Sequence, residues 1–419
     1  MKQKYKKLEK SWILYDVGNS AFVLLISTIL PIYFNYLAGE AGLSSVDYLA
    51  YWGYAASIVT VIVAFIGPVF GTIADYKNFK KPLFFIFLVL GIAGCLSLGI
   101  CATWISFLIV FVIAKVGFSS TLVFYDSMIN DITSKERLDM ISSQGYAWGY
   151  IGSCIPFLIS LFIVLGKDII GISMSFAMMI SFFIVAAWWL FCTVPLLKNY
   201  KQIYYIEKQP HVITNSFKRL WGTIKDLKND RQVLLFIIAY FFYIDGVYTI
   251  IDMATAYGTA LGLDTTMLLV ALLVTQIVAF PSAIIFGKMS AKYSSNKLIS
   301  ICIAAYTGIA IFAMFMSTQL HFWILAVCVG LFQGGIQALS RSHFAKITPS
   351  EKSGEYFGLL DICGKGASFL GTTLVSVVTQ ISGNKSIGIG VLTVLFLIGF
   401  LFFIKSALLT PVFRDRTSH

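Results

Sequence analysis

Gly71-Thr72-Ile73-Ala74-Asp75-Tyr76-Lys77-Asn78-Phe79-Lys80-Lys81 separates two long apolar runs, and 216 residues later Gly287-Lys288-Met289-Ser290-Ala291-Lys292-Tyr293-Ser294-Ser295-Asn296-Lys297 does the same. The offset is close to half of the 419-residue chain. A polar hinge repeated at half the chain length implies two similar halves. In each copy a glycine lets helices approach closely, and the closing basic residues are expected to meet the headgroups where the next helix begins.

The runs around these hinges dominate the sequence. Hydrophobic residues make up 58% and charged residues only 12%, whereas soluble chains are about a quarter charged. So little charge cannot solvate a soluble surface, which excludes a soluble enzyme, a disordered chain and a disulfide scaffold. One hydrocarbon crossing takes roughly 20 apolar residues. Windowed hydropathy places twelve, near 12–38, 47–74, 82–100, 103–127, 141–166, 169–197, 231–258, 264–288, 297–318, 320–344, 354–380 and 384–406. The first run ends in Tyr36-Leu37-Ala38-Gly39-Glu40 without a small-residue cleavage site, so it reads as a crossing and not as a signal peptide. The expected fold is an all-α polytopic membrane protein of two six-helix bundles.

Basic residues set the orientation. With the N-terminus in the cytosol, 27 of the 31 Lys and Arg fall on the cytosolic side. Only Lys167 and Lys385 lie outside, and Lys115 and Lys365 lie within crossings. Basic residues in short loops are retained in the cytosol, so both termini are placed there. The net charge of +11 is thus topological and implies no nucleic-acid partner. The seven cysteines contain no C-x-x-C pair and the four histidines are scattered, so no metal site is expected. No cofactor motif occurs either; Gly364-Lys365-Gly366 lacks the spacing and the Ser or Thr of a phosphate-binding loop.

The longest polar stretch, 198–230, divides the chain into an N-terminal bundle (1–197), a cytosolic linker (198–230), and a C-terminal bundle with a short tail (231–419). Within the linker, Ile213, Phe217, Leu220, Trp221, Ile224 and Leu227 recur at helical spacing, with Lys218, Arg219, Lys225 and Asp226 elsewhere. That pattern predicts an amphipathic helix on the membrane surface, tethering the bundles or offering a docking site.

The hinge resembles the cytosolic loop motif of the major facilitator superfamily, G-x-x-x-D-(R/K)-x-G-R-(R/K). The first copy keeps Gly71, Asp75, Lys80 and Lys81 and has Asn78 at the second glycine; the second keeps Gly287 and has Ala291 at the acid. Further stretches look like bacterial members of the vacuole effluxer family, relatives of the fungal autophagy-linked vacuolar amino-acid effluxer. They are Trp12-Ile13-Leu14-Tyr15-Asp16-Val17-Gly18-Asn19-Ser20-Ala21-Phe22, Phe124-Tyr125-Asp126-Ser127-Met128-Ile129-Asn130-Asp131-Ile132, Asp245-Gly246-Val247-Tyr248, and Gln333-Gly334-Gly335-Ile336-Gln337-Ala338-Leu339-Ser340-Arg341-Ser342. Glu355-Tyr356-Phe357-Gly358 and Gly364-Lys365 follow. The resemblance implies a transporter, not an enzyme, that moves a small solute such as an amino acid out of the cytosol.

A charge deep in a crossing costs on the order of 2.5–3.5 kcal/mol, so intramembrane polar groups are the candidate solute or coupling residues. Asp16 and Asp245 sit early in helices one and seven, with Asn19 one turn beyond Asp16, and read as coupling, gating or capping groups. Asp252 lies two turns beyond Asp245, on about the same face, and Lys115 lies midway along helix four; both are expected to face a cavity. Asp126 ends helix four, while Asp361 and Lys365 stand i, i+4 on helix eleven, where they neutralise each other or serve the solute. Gln276, Gln333 and Gln337 line the cavity or bridge helices. Asp75, Arg341 and Glu355, with Gly71, Lys80, Lys81 and Gly287, read as a cytosolic gate.

Lysine with aspartates in one cavity suits a zwitterion, and buried aspartates can also exchange a proton, the candidate coupling ion. The expected protein is a monomeric secondary transporter working by alternating access in a bacterial plasma membrane. Export of a drug-like or lipid-like amphiphile, and a membrane sensor without transport, remain the alternatives.

Overall fold

A computed structural model describes residues 2–208, 210–260 and 262–409, apart from the side chains of 2–5, 45–46, 48–50, 255–256, 259–260, 265–266, 269 and 365–369. Helices α1 (Lys2–Leu24) and α2 (Leu30–Glu40) form the first crossing, followed by α3 (Ser45–Ala74), α4 (Lys80–Leu98) and α5 (Trp104–Ser127). A short α6 (Ile129–Ile132) precedes α7 (Leu138–Leu165), α8 (Lys167–Ile170) and α9 (Met174–Asn199). The linker carries α10 (Val212–Asp226). The second half comprises α11 (Arg231–Ala260), α12 (Thr265–Met289), α13 (Ser295–Met314), α14 (Gln319–Ile347), α15 (Ser353–Ser382) and α16 (Lys385–Leu408). Eleven helices have a long apolar stretch among the described residues, and α15 contributes a shorter one, Leu370–Ser382.

Within the first bundle α1 packs on α7 and α9, and α4 on α5; within the second, α11 and α13 pack on α16, and α12 on α14. The bundles meet where α3 lies along α15 and α7 along α12 and α14. Each crossing that starts on the outer side begins with a polar side chain accepting a backbone N–H: Ser44, Thr103, Ser173, Asp264, Thr318 and Asn384. A cap satisfies one orphan donor of the first turn where apolar surroundings would leave it unmet.

Two local irregularities follow from sequence. Residues Leu25–Ile29 widen into a π turn, just before Pro31, whose ring cannot continue the regular ladder. Asn78 has φ 66°, the left-handed region that glycine favours and asparagine tolerates. This explains why asparagine can stand at the second glycine of the hinge motif.

The first helix begins at Lys2 and so extends beyond the crossing expected near 12–38; this cytosolic extension is anchored, Glu9 accepting from Arg137 at 2.8 Å and from Thr133 at 2.7 Å. One expectation needs correction. Lys80 does not reach the headgroups, as only its neighbour Lys81 is exposed. Its ammonium is fully buried, 3.8 Å from both Asp75 and Asp131. Asp131 also accepts Tyr200 Oη–H at 2.6 Å and the N–H groups of Ile203 and Tyr204 at 2.9 and 2.8 Å. The linker's first turn is thereby tied to the N-terminal bundle.

Candidate functional site

The two hinges each pack against the opposite bundle. In the first, Gly71 lies so close to Gly354 that a Cβ on either would overlap the other's carbonyl oxygen. Asp75 then caps α15: its Oδ1 accepts Gly354 N–H at 2.7 Å and its Oδ2 Glu355 N–H at 2.9 Å. A carboxylate there meets the positive end of the helix dipole. Burial pushes the Asp75 carboxyl up to about 7, while Lys80, the Glu355 and Gly354 N–H groups and Arg219 pull it back. Lys80 Nζ donates to Ser353 Oγ at 2.8 Å, joining the bundles a second time.

The second hinge works as a mirror of the first. Gly287 packs on Ser143 of α7, where a Cβ would come within 2.7 Å. Ala291 leaves this copy without an acid, and Asp139 of α7 supplies one from across the interface. Asp139 accepts Ser342 Oγ–H at 2.6 Å, Ser295 Oγ–H at 2.9 Å and the Lys346 ammonium. Asp139 and Lys346 escaped the sequence reading because both look like ordinary helix-end charges.

Arg341 of α14 lies above these seals, buried among three rings. Its guanidinium carbon is 4.6 Å from the centre of Trp12, 5.5 Å from Tyr125 and 4.3 Å from Tyr146. Nη1 donates to Asp126 Oδ1 at 3.0 Å and Nη2 to Asp16 Oδ2 at 3.4 Å. Nε and Nη2 donate to the hydroxyl and carbonyl of Ser142 at 2.9 and 3.0 Å. Arg341 thus gathers Asp16 and Asp126, which sequence alone left 110 residues apart, rather than joining Asp75 and Glu355. One step further in, Tyr150 Oη–H donates to Gln337 Oε1 at 2.8 Å across the bundles.

Deeper in, the groups are partly accessible although the layer on their cytosolic side is buried. Asp252 is exposed, and Lys115 and Asp361 are half-buried. Lys115 of α5 and Asp252 of α11 come from different bundles and lie within electrostatic range of each other. The Lys115 ammonium also sits 5.5 Å from the Phe118 ring centre. Asp361 is within range of Asp126, and Tyr248 within range of Asp126, Asp361 and Asp252. Opposite charges and phenols from both halves therefore lie within electrostatic range of one another, beyond the buried Arg341 layer.

Other candidates stand apart from it. Asp245 does not share the exposure of Asp252: fully buried inside the second bundle, it accepts Gly371 N–H at 3.0 Å and Thr249 Oγ–H at 3.3 Å. Gln276 and Gln333 line a crevice of about 40 Å³ between α11, α12 and α14. Asn19 is buried, its Nδ2 without a partner among the described residues. The Lys365 side chain lies outside the described residues. No group of three or more His, Cys, Asp or Glu that would hold a metal occurs among the described residues.

The family model described as vacuole effluxer Atg22 like matches residues 4–137 and 130–408. A Bacillus subtilis protein described as the uncharacterized MFS-type transporter YxiO is 43% identical over 404 residues, covering 95% of this chain and 94% of that one. Autophagy-related protein 22 of Kluyveromyces lactis is 24% identical over 353 residues, covering 77% of this chain and 68% of its own. Among solved structures, the human organic anion transporter MFSD10 superposes with a TM-score of 0.71 at 12% identity, covering 95% of this chain and 99% of that one. That likeness concerns the fold.

Proposed function

The chain belongs to the vacuole effluxer Atg22-like family of major facilitator transporters, and from that premise we propose that it exports a small zwitterion, an amino acid or a relative, across a bacterial plasma membrane by alternating access. The observation that carries this reading is that Lys115 and Asp252, from opposite bundles, lie within electrostatic range of each other while neither is fully buried. A bound amino acid would offer its carboxylate to the lysine and its ammonium to the aspartate, replacing the pair's own attraction. Each end of the solute then grips one bundle, so binding reports on their separation. Both bundles come from one chain, and the reading takes the monomer as the unit of transport.

In proteoliposomes preloaded with amino acids, Lys115→Ala is expected to cut efflux by about tenfold or more, equivalent to about 1.4 kcal/mol of lost interaction. Efflux equal to that of the unaltered protein would remove the zwitterion reading.

Proton coupling draws its support from the Arg341 cluster, where two carboxylates share one guanidinium and leave room for one exchangeable proton. A proton gradient directed into the cell should accelerate export through its counterflow. Efflux indifferent to an imposed pH difference would leave the solute's own gradient as the driving force.

A second reading, export of an apolar amphiphile, is favoured by a groove of about 630 Å³ between the bundles. Val17, Trp148, Ile155, Trp188, Phe191 and Ile277 line it. Amphiphile efflux that persists in Lys115→Ala while amino-acid efflux is absent in both proteins would select this reading.

A further inference from the structure

The linker helix α10 faces the opposite way from a helix that packs by its apolar side. Ile213, Phe217 and Trp221 are 65%, 53% and 61% exposed, and Ile224 is exposed as well, while Ser216 and Thr223 are buried against the protein. Lys218, Lys225 and Lys228 are exposed beside the apolar face, and the Lys225 ammonium lies 5.5 Å from the Trp221 ring centre. The helix packs on α3, whose last residue, Ala74, lies within the first cytosolic hinge. The apolar face therefore lies at the level where the hydrocarbon ends, with tryptophan and lysines placed as membrane-interface anchors.

From its inner face, the same helix sends Arg219 into the gate. Its Nε donates to Glu355 Oε2 of α15 at 2.8 Å and its Nη2 to the Thr72 carbonyl of α3 at 2.6 Å. Nη2 also lies 3.6 Å from Asp75, and the guanidinium sits 5.0 Å over the Tyr76 ring. One residue of a surface helix thus holds both bundles at the cytosolic seal. When α3 and α15 separate, Arg219 cannot keep both partners.

We propose that α10 docks on the anionic cytosolic leaflet and that this docking seats Arg219 between the bundles, so that anionic lipid favours the cytosol-closed state. The apolar face supplies insertion, and the flanking lysines select negative headgroups. The lipid shifts the equilibrium because α10 presents Arg219 to both bundles only in the closed state. The proposal is independent of what solute is carried.

The test uses the full chain in nanodiscs of phosphatidylcholine, with and without phosphatidylglycerol. Spin labels on cysteines replacing the exposed Lys135 and Glu351 report the distance across the cytosolic ends, with no substrate needed. Phosphatidylglycerol should raise the short-distance, closed population severalfold, and brominated lipid should quench Trp221. The pair Lys218→Glu and Lys225→Glu should abolish the lipid response. Arg219→Gln should leave Trp221 quenched while the closed population no longer responds. Equal distance distributions in both lipids would overturn the proposal, as would a response that survives the glutamate pair. Trp221 shielded from brominated lipid would assign the face to a protein partner instead.

Discussion

Replacing Arg341 by alanine is expected to abolish transport and to leave the cytosolic side predominantly open. The buried guanidinium hydrogen-bonds both the Asp16 and the Asp126 side chains. Its loss leaves two carboxylates of the N-terminal bundle beside each other at the bundle interface, without the cation from the other half. Breaking such a buried pair costs about 3–5 kcal/mol, and here the whole cost falls on the closed state, since Arg341 belongs to α14 and its partners to α1, α5 and α7. Arg341→Lys keeps the charge but not the planar fork that reaches two carboxylates and Ser142 together. It should restore part of the closed population without restoring full flux. Labelling of a cysteine placed in the Ser142 region from the cytosolic side measures the opening. Accessibility and flux unchanged in Arg341→Ala would show that the cluster does not hold the gate.

The second large effect is expected at Gly71. A methyl group there would overlap the carbonyl of Gly354, and both obstacles are backbone, so no side chain can turn aside. Overpacking usually costs about 1–3 kcal/mol when neighbours adjust; with rigid helices on both sides, the bundles must instead part. Gly71→Ala should therefore fold normally, because the contact exists only between bundles, yet should open the cytosolic side and slow transport. Gly71→Val should do so more strongly. A thermal midpoint near that of the unaltered protein, together with raised cytosolic labelling, is the expected pair of readings. Normal labelling would mean that α3 and α15 do not need to touch for closure.

Much of this architecture was readable from one-dimensional patterns. Hydropathy runs marked the crossings, because each lipid-facing helix must be apolar over its length. Lysine and arginine counts set the orientation, because translocation of short basic loops is disfavoured. The repeated hinge located the places where the bundles touch. Lys80 was misplaced because the motif records a basic residue without recording whether water or Asp131 receives it.

Charge type and depth were legible in the same way, so Asp16, Lys115, Asp126, Asp252 and Asp361 stood out as costly residues. Their partnerships did not. Asp16 and Asp245 look equivalent by position, yet one meets Arg341 across the interface and the other the Gly371 N–H within its own bundle. Asp139 looked like an ordinary first-turn acid and proves to supply what the second hinge lacks. Helical periodicity fixes which residues share a face of one helix, but not which face of another helix it meets. The sequence by itself determined the solvent, the orientation and the twofold plan, since these depend on local transfer energies. Only the tertiary structure decided which charges meet, because pairing depends on the rotation and contact of helices far apart in the chain.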